Sequence, residues 1–380
     1  MSELPLAGYR VVDLSRVLAG PLATQTLGDL GADVVKVERP GVGDDTRGWG
    51  PPFVGDDAAY FLALNRNKLS VDLDLQTPEG VRAVRRLAAE ADVLVENFRP
   101  GLMAEWGLAP ESLRAENPRL ITCSLTAFPD HGPDADRRPG YDIIMQALSG
   151  LMSVTGSSGA EPVKVGVALL DVIAGLYATV GILAALEERT RTGRGRHVSV
   201  ALSDASVAAM VNQAANHLLG GVVTSPMGTA HPNICPYQAF HASDRPFILA
   251  AGNDRLFVRT CQVLGSAAWS ADPRFATNEA RVGNRDVLVP MLEERFRTRP
   301  AAEWITALEA AGVPCAPIRT IDEVFTAPEG ASAIGEVADP GRGTTLRLVR
   351  NPLRFDGQAL PIGTPPPLLG EHTDEVLGSQ

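Results

Sequence analysis

Basic charge is what this chain is short of: 34 Lys and Arg stand against 45 Asp and Glu in 380 residues, a formal net charge of −11. Nucleic acid or an anionic membrane surface requires a cationic face. Neither is expected as a partner, and any anionic small ligand must meet a local basic cluster. Cysteine is scarce too. Cys123, Cys235, Cys261 and Cys315 have no paired spacing, which argues against a disulfide framework and a zinc site and fits reduced thiols. His131, His197, His217, His231, His241 and His372 lack metal-ligand spacing as well, so no metal is expected. The opening MSELPLAGYRVVDLS has neither the charged-then-apolar pattern of a signal peptide nor an Arg-rich presequence. No uninterrupted apolar run approaches the roughly 20 residues that span a bilayer without charge or helix breakers. A cytoplasmic protein with no membrane partner is the expectation.

Several enzyme signatures are also missing. G-x-x-x-x-G-K-[ST], H-E-x-x-H and G-x-S-x-G do not occur, which removes support for P-loop, zinc-protease and nucleophile-elbow chemistry. The first turn, SRVLAGP, is not G-x-G-x-x-G, so a nicotinamide cofactor would rest on Glu38 alone at the end of the next strand. There is no internal repeat and no low-complexity segment.

What is present describes a globular chain, 45% hydrophobic and long enough for two domains. YRVVDLS (9–15) reads as a buried strand, GPLATQTLGDLG (20–31) as a helix with Pro21 in its first turn, and ADVVKVE (32–38) as a second strand. That spacing makes a βαβ unit and hence a parallel sheet. LSVDLDL (69–75), a helix over 78–91, DVLVENF (92–98) and LITCSLTAF (120–128) continue it. A helix over 171–192 is apolar nearly all round and so should be buried. RHVSVALSDA (196–205) begins as a strand. We expect a large α/β domain over 1–222 completed by 340–380, a small domain over 223–330, and a loop-rich tail, 331–380, that returns to the large domain.

Two features call for function. The segment RPGVGDDTRGWGPPFVGDDAA (39–59) has no periodicity, and long irregular segments in compact domains tend to be lids or binding loops. The run VALLDVIAG (167–175) puts one carboxylate, Asp171, among apolar residues, where an uncompensated charge costs several kcal/mol. Asp171 either caps a helix or performs chemistry.

The runs DLSRVLAGPLATQTLGDLGADVVKVERPGVGDDTRGWGPPF, LNRNKLSVDLDL, ADVLVENFRPG, PGYDIIMQALSGLMSVTG, GVALLDVIAGLYATVGILAALEERTRTGRG and PLLGEHTDEVL, in that order, resemble the family III CoA-transferases. That family includes formyl-CoA transferase and has CoA-dependent racemases as relatives. GDDTRGWGPPFVG, GTAHPNICPYQAF and the AGN of 251–253 resemble its dicarboxylate-using, succinyl-CoA:glutarate branch. The resemblance implies a Rossmann-like large domain with a parallel sheet, a smaller α/β domain, and an interlocked homodimer. It implies CoA transfer from an acyl-CoA donor, succinyl-CoA in that branch, to a carboxylic acid such as glutarate. Coenzyme A thioester would be a co-substrate, with no tightly bound cofactor.

The same likeness assigns residues. Asp171 falls on the catalytic aspartate of a GxAxxD-like motif, which would carry the acyl group as an anhydride and then CoA as a thioester. Val17, Leu18, Ala19, Leu73, Asn97 and Phe98 match positions lining the CoA site. Arg39 matches a phosphate or adenine contact, with Arg66 and Lys68 nearby unless these form a solvated turn. Trp49 and Tyr60 match positions near the acyl group, and Arg47 would either pair with a distal carboxylate or hold the loop. Formyl-CoA transferase has glutamine where this chain has Leu18, and its glycine-rich flap has no counterpart here, so formate is a doubtful substrate. The racemases read GHD where this chain reads Gly140-Tyr141-Asp142. Tyrosine, with an ordinary pKa of about 10, is a poor replacement for that base. Tyr141 is therefore carried as a substrate-side residue, and Asp142 as either an assistant or a structural hydrogen-bond partner. A 2-methylacyl-CoA racemase and a non-catalytic CoA-binding protein remain as alternatives.

Overall fold

The computed structural model describes residues 4–129, 138 and 140–378; His131 lies outside them. The chain forms two compact units, Met1–Leu151 with Lys164–Gly221 and Glu329–Gln380, and Met152–Val163 with Val222–Pro328.

The first unit is built on strands β1 (Arg10–Asp13), β2 (Asp33–Glu38), β3 (Lys68–Asp72), β4 (Val93–Glu96), β5 (Ile121–Thr126) and β6 (His197–Ala201). They form one sheet in the order β3-β2-β1-β4-β5-β6 with every neighbour parallel. Such strands are covered on both faces, which is why β4 is buried at all four positions. Helices α1 (Ala19–Asp29), α2 (Pro78–Glu90), α3 (Pro110–Glu116), α4 (Asp142–Leu148), α5 (Leu169–Thr192), α6 (Leu202–Ala208) and α7 (Val211–Gly220) belong to the same unit. Helix α2 starts where the Thr77 hydroxyl accepts the Gly80 amide at 3.1 Å and Pro78 fills the first turn.

Helix α5 is long and apolar enough to cross a membrane by length and composition. It is nevertheless a core helix, with Leu170, Ala174, Ala178 and Ile182 buried against α1 and the sheet. The expectation of burial all round needs correction, because Leu176, Tyr177 and Val180 stay exposed on its other face in the single chain.

The tail corrects another expectation. Residues Ile334–Asp339 (β10) and Thr344–Val349 (β11), read as loop-rich, form an antiparallel hairpin. Alternation in β10 buries Gly335, Val337 and Asp339, a pattern diluted by glycine and charge in the sequence. The tail then runs along β3: Gly363 and Thr364 amides donate to Asn67 Oδ1 at 2.9 Å, and Thr373 Oγ1 donates to Asp72 Oδ1 at 2.7 Å.

The second unit holds the antiparallel strands β7 (Tyr237–His241), β8 (Pro246–Ala250) and β9 (Cys315–Pro317) and the helices α8 (Asp254–Val263), α9 (Arg285–Phe296) and α10 (Ala301–Ala310). Its separate core gathers Phe240, Phe247, Phe257, Phe296 and Trp304. Residues 152–163, placed with the large domain from the sequence, fall in this unit, and Gly228 N–H donates to the Gly156 carbonyl at 2.8 Å.

Candidate active site

In an open parallel sheet, ligands bind beyond the carboxyl ends of the strands where the strand order reverses. Here that point lies between β1 and β4. A cleft of 370 Å³ opens there, lined by Arg16, Val17, Leu18 and Ala19 after β1, by Asn97, Phe98 and Arg99 after β4, and by Arg138, Tyr141 and Asp171. A narrower slot of 190 Å³ adjoins it, with Arg39, Leu73, Leu75, Leu102 and Trp106 among its walls. The two share Arg16 and Phe98. A larger cavity, 820 Å³, lies at the opposite end of β1, β2 and β3, beside Arg10, Asp33 and Lys68, and takes no residue from the switch point.

Asp171 stands in the first turn of α5, whose cap position is Ala168. Its side chain does not cap the helix, so the structural reading fails. Asp142 does that work: its Oδ1 accepts the Leu170 and Asp171 amides at 2.8 and 3.3 Å, while its Oδ2 accepts from Gln146 Nε2 at 2.6 Å. The Leu170 and Asp171 amides are therefore spent on Asp142 and do not stabilise the Asp171 charge. Burial, with the Asp142 charge second, pushes the Asp171 carboxyl up to about 7. The helices are brought close by Gly175, one turn further along α5, where an added Cβ would stand 2.6 Å from the Ala19 carbonyl oxygen. Helix α1 has no side-chain cap at Leu18, and its first-turn amides have no partner within the helix.

The structure gathers Val17, Leu18, Ala19, Asn97, Phe98, Tyr141 and Asp171 in one cleft and Arg39 and Leu73 in its neighbour. Arg39 is half-exposed and meets Asp45 at 2.7 Å, the same carboxylate that Arg16 approaches at 3.3 Å. Trp49 and Tyr60 pack edge to face at 5.5 Å. Burial, followed by the charges of Asp171, Asp142 and Asp44, raises the Tyr60 hydroxyl, which therefore stays a neutral donor.

The expectations for Lys68 and Arg66 are corrected, and the alternative left open for Arg47 is decided. Lys68 cannot reach a phosphate: its ammonium is fully buried and donates to Asp13 Oδ2, the Pro21 carbonyl and Asn65 Oδ1 at 3.0, 3.0 and 2.9 Å. Arg66 is not a solvated turn residue, since it forks onto Asp29 at 2.8 and 2.6 Å. Arg47 holds the loop rather than a substrate: it grips Glu38 at 2.8 and 2.7 Å and Asp57 at 2.8 Å, and lies 3.7 Å over the Phe61 ring. Glu38 is thereby used up as well. Asn97 does line the cleft, but both ends of its amide are spent on the Arg16 backbone.

The cations that do line the clefts went unnoticed in the sequence, apart from Arg39. Arg16 stacks 5.6 Å from the Phe98 ring centre and Arg138 stands 3.8 Å over Phe128, with Arg99 on the same cleft. A signal existed: Arg-Pro-Gly recurs at 39–41, 99–101 and 138–140, and each arginine lines one of the two clefts.

What such a crevice can hold is limited by its form. A desolvated carboxylate, a cleft lined by Arg16, Arg99 and Arg138 and an adjoining slot with apolar walls suit an extended anionic substrate, as an enzyme that transfers a group to or from such a molecule requires. Residues 6–373 match the model of CoA-transferase family III, and the chain belongs to that family. It is 45% identical to the succinate–glutarate CoA-transferase of Agrobacterium fabrum, over 98% of this chain and 95% of that one. It is 42% identical to the succinyl-CoA:glutarate CoA-transferase of Mus musculus, over 99% and 86%. A solved CAIB/BAIF family protein from Brucella suis superposes with a TM-score of 0.85 at 45% identity, covering 99% of each chain.

Proposed function

We propose that this CoA-transferase moves CoA from succinyl-CoA to a second dicarboxylate such as glutarate, with Asp171 as nucleophile. One observation carries the assignment of Asp171: it lines the switch-point cleft with its pKa raised to about 7 by desolvation. The printed names of the relatives support the two substrates.

Once ionised, a carboxylate of raised pKa is the stronger nucleophile. Asp171 attacks the donor thioester carbon, and the C–S bond breaks to give a mixed anhydride and CoA thiolate. The thiolate attacks the aspartyl carbonyl, the donor acid leaves as carboxylate, and an aspartyl-CoA thioester remains. The acceptor carboxylate then attacks that thioester, thiolate departs again, and its return to the acceptor carbonyl releases the new CoA ester and frees Asp171. Water would hydrolyse both intermediates, which is why the nucleophile has apolar neighbours. The first-turn amides of α1 and the Tyr60 hydroxyl are the donors available for charge developing on the carbonyl oxygens. Arg16, Arg39, Arg99 and Arg138 serve the phosphates, and the slot of Leu73 and Trp106 takes the base.

The racemase alternative loses ground on its missing base. Tyr141 is 60% exposed beside Asp142, whose carboxylate is occupied by the α5 amides. The same reading includes a homodimer. Val180 on α5, at 62% exposure, and Val211 and Leu219 on α7, at 72% and 89%, leave large apolar side chains bare that a second copy of the chain would cover.

The test incubates the enzyme with succinyl-CoA and a panel of carboxylic acids, reading products and Asp171 adducts by mass spectrometry. New CoA esters of dicarboxylates, and passage of labelled oxygen from the acceptor into the Asp171 carboxyl, are expected. Hydrolysis alone, or label that never enters the protein, refutes the assignment. Light scattering on the same sample should return twice the chain mass.

A further inference from the structure

The chain has only three lysines, and two of them, Lys36 and Lys68, are fully buried. Lys36 Nζ donates to the Ser15 carbonyl at 2.9 Å and pairs with Asp44 Oδ2 at 2.9 Å. Asp44, equally buried, accepts the Val17 amide at 3.2 Å and the Thr46 amide and hydroxyl at 3.0 and 2.8 Å. Between these two anchors Asn97 brackets Arg16, accepting its amide at 2.8 Å and donating to its carbonyl at 2.7 Å. Asp13 accepts the Ser15 amide at 2.9 Å. Three consecutive amides and two carbonyls are thus held by side chains from β1, from β2, from Asn97 just after β4 and from the 39–59 loop.

The residue at the end of this clamp is Val17, with φ at 71°. That left-handed conformation is uncommon for any residue with a Cβ and an outlier for a β-branched one. Such conformations persist only where the surroundings over-determine them. A buried ion pair contributes little net stability compared with an apolar pair of the same shape, so fold stability alone does not account for Lys36 and Asp44.

We propose that the buried Lys36–Asp44 pair is a positioning device for CoA transfer: it holds Val17 in its left-handed turn and so fixes Leu18 and Ala19 opposite Asp171. The proposal rests on the reading of Asp171 as nucleophile. Neither residue lines the cleft that holds Asp171; both border the adjoining slot, but their buried charged groups are spent on each other and on the backbone of Ser15 and Val17, so they act through the Arg16–Ala19 turn.

The test is a double-mutant cycle between Asp44→Asn and Val17→Gly, read by kcat, by KM for succinyl-CoA and by Tm. Asp44→Asn keeps an acceptor for the Val17 amide and removes the partner of Lys36. It should lower kcat by about 10- to 100-fold, as small misplacements at a reacting centre do, while KM changes by less than about threefold. Glycine adopts φ of +71° without strain. In the Val17→Gly background the same Asp44→Asn change should therefore cost kcat only about threefold and Tm correspondingly less. Additive effects, or an Asp44→Asn enzyme with native kcat, overturn the proposal. Should Asp44→Asn alone fail to fold, the double variant decides: a folded, active protein supports the device, an unfolded one rejects it. Residual turnover in Asp171→Asn would sink the nucleophile reading while leaving the coupling between positions 44 and 17 standing, so the two failures are distinguishable.

Discussion

Asp142 caps the helix on which Asp171 sits: one oxygen takes the Leu170 and Asp171 amides at 2.8 and 3.3 Å, and the charge it brings adds to burial, the larger cause, in raising the Asp171 carboxyl. The cap and the proposed nucleophile are two residues, and each can be altered without the other.

Asp142→Asn retains an oxygen for both amides and removes the charge. With Asp171 as the proposed nucleophile, kcat/KM should show an acid limb near pH 7, and in this variant that limb should move to lower pH because the neighbour no longer opposes the aspartate charge. It should still lie above 3.8, since burial is the larger cause. Asp142→Ala should lose the cap as well, lowering stability by about 1 kcal/mol. A pH-rate profile of each variant checks both.

Asp171→Asn should lower kcat by at least about a thousandfold and stabilise the fold in a pH-dependent way. The folded carboxyl holds its proton until about 7 and the unfolded one until 3.8. Below 3.8 both states are protonated and the wild type keeps its full stability. Between about 4 and 7 the unfolded chain ionises and the folded protein resists, so stability drains away and stays lost above 7. The Tm gain of the variant should therefore be near zero at pH 3.5, grow through that window and level off at pH 8. A gain independent of pH would show that the folded aspartate is not desolvated.

Gly175→Ala forces a methyl group to within 2.6 Å of the Ala19 backbone oxygen. Overpacking of this kind costs about 1–3 kcal/mol, more than the roughly 1 kcal/mol that alanine contributes to a helix. Tm should fall. The α1 start would also be pushed from Asp171, so kcat should fall at temperatures where the variant is fully folded.

The cationic residues should separate by role. Arg138→Ala, at the cleft, should raise KM for CoA esters several-fold, with an effect that shrinks at high salt. Lys68→Met should leave KM unchanged and instead strip Asp13 of its buried partner at 3.0 Å, destabilising the fold by about 3–5 kcal/mol. Chemical denaturation and initial-rate kinetics on both variants distinguish the outcomes.

Much of this protein could be read along the chain. The strands β1, β2, β4 and β5 are short apolar runs bounded by turns, and the helices between them carry caps or prolines at their starts, because local geometry and burial on a sheet leave a periodic trace. The hairpin of β10 and β11 left a poor trace, since glycine and alternating charge blur its two faces. Asp171 stood out for a chemical reason, as one carboxylate in an apolar run.

The chain by itself therefore determined the parallel sheet, the order of its elements and the position of the carboxylate on which the reaction is proposed to turn. Only tertiary structure decided which charges face substrate and which face one another. Lys68 finds Asp13 across 55 positions and Arg66 finds Asp29 across 37, and no local pattern announces such partners. A charged side chain reads the same in sequence whether its counterion is a bound phosphate or a buried aspartate. Its role is settled only when folding removes the water and fixes which opposite charge is within reach.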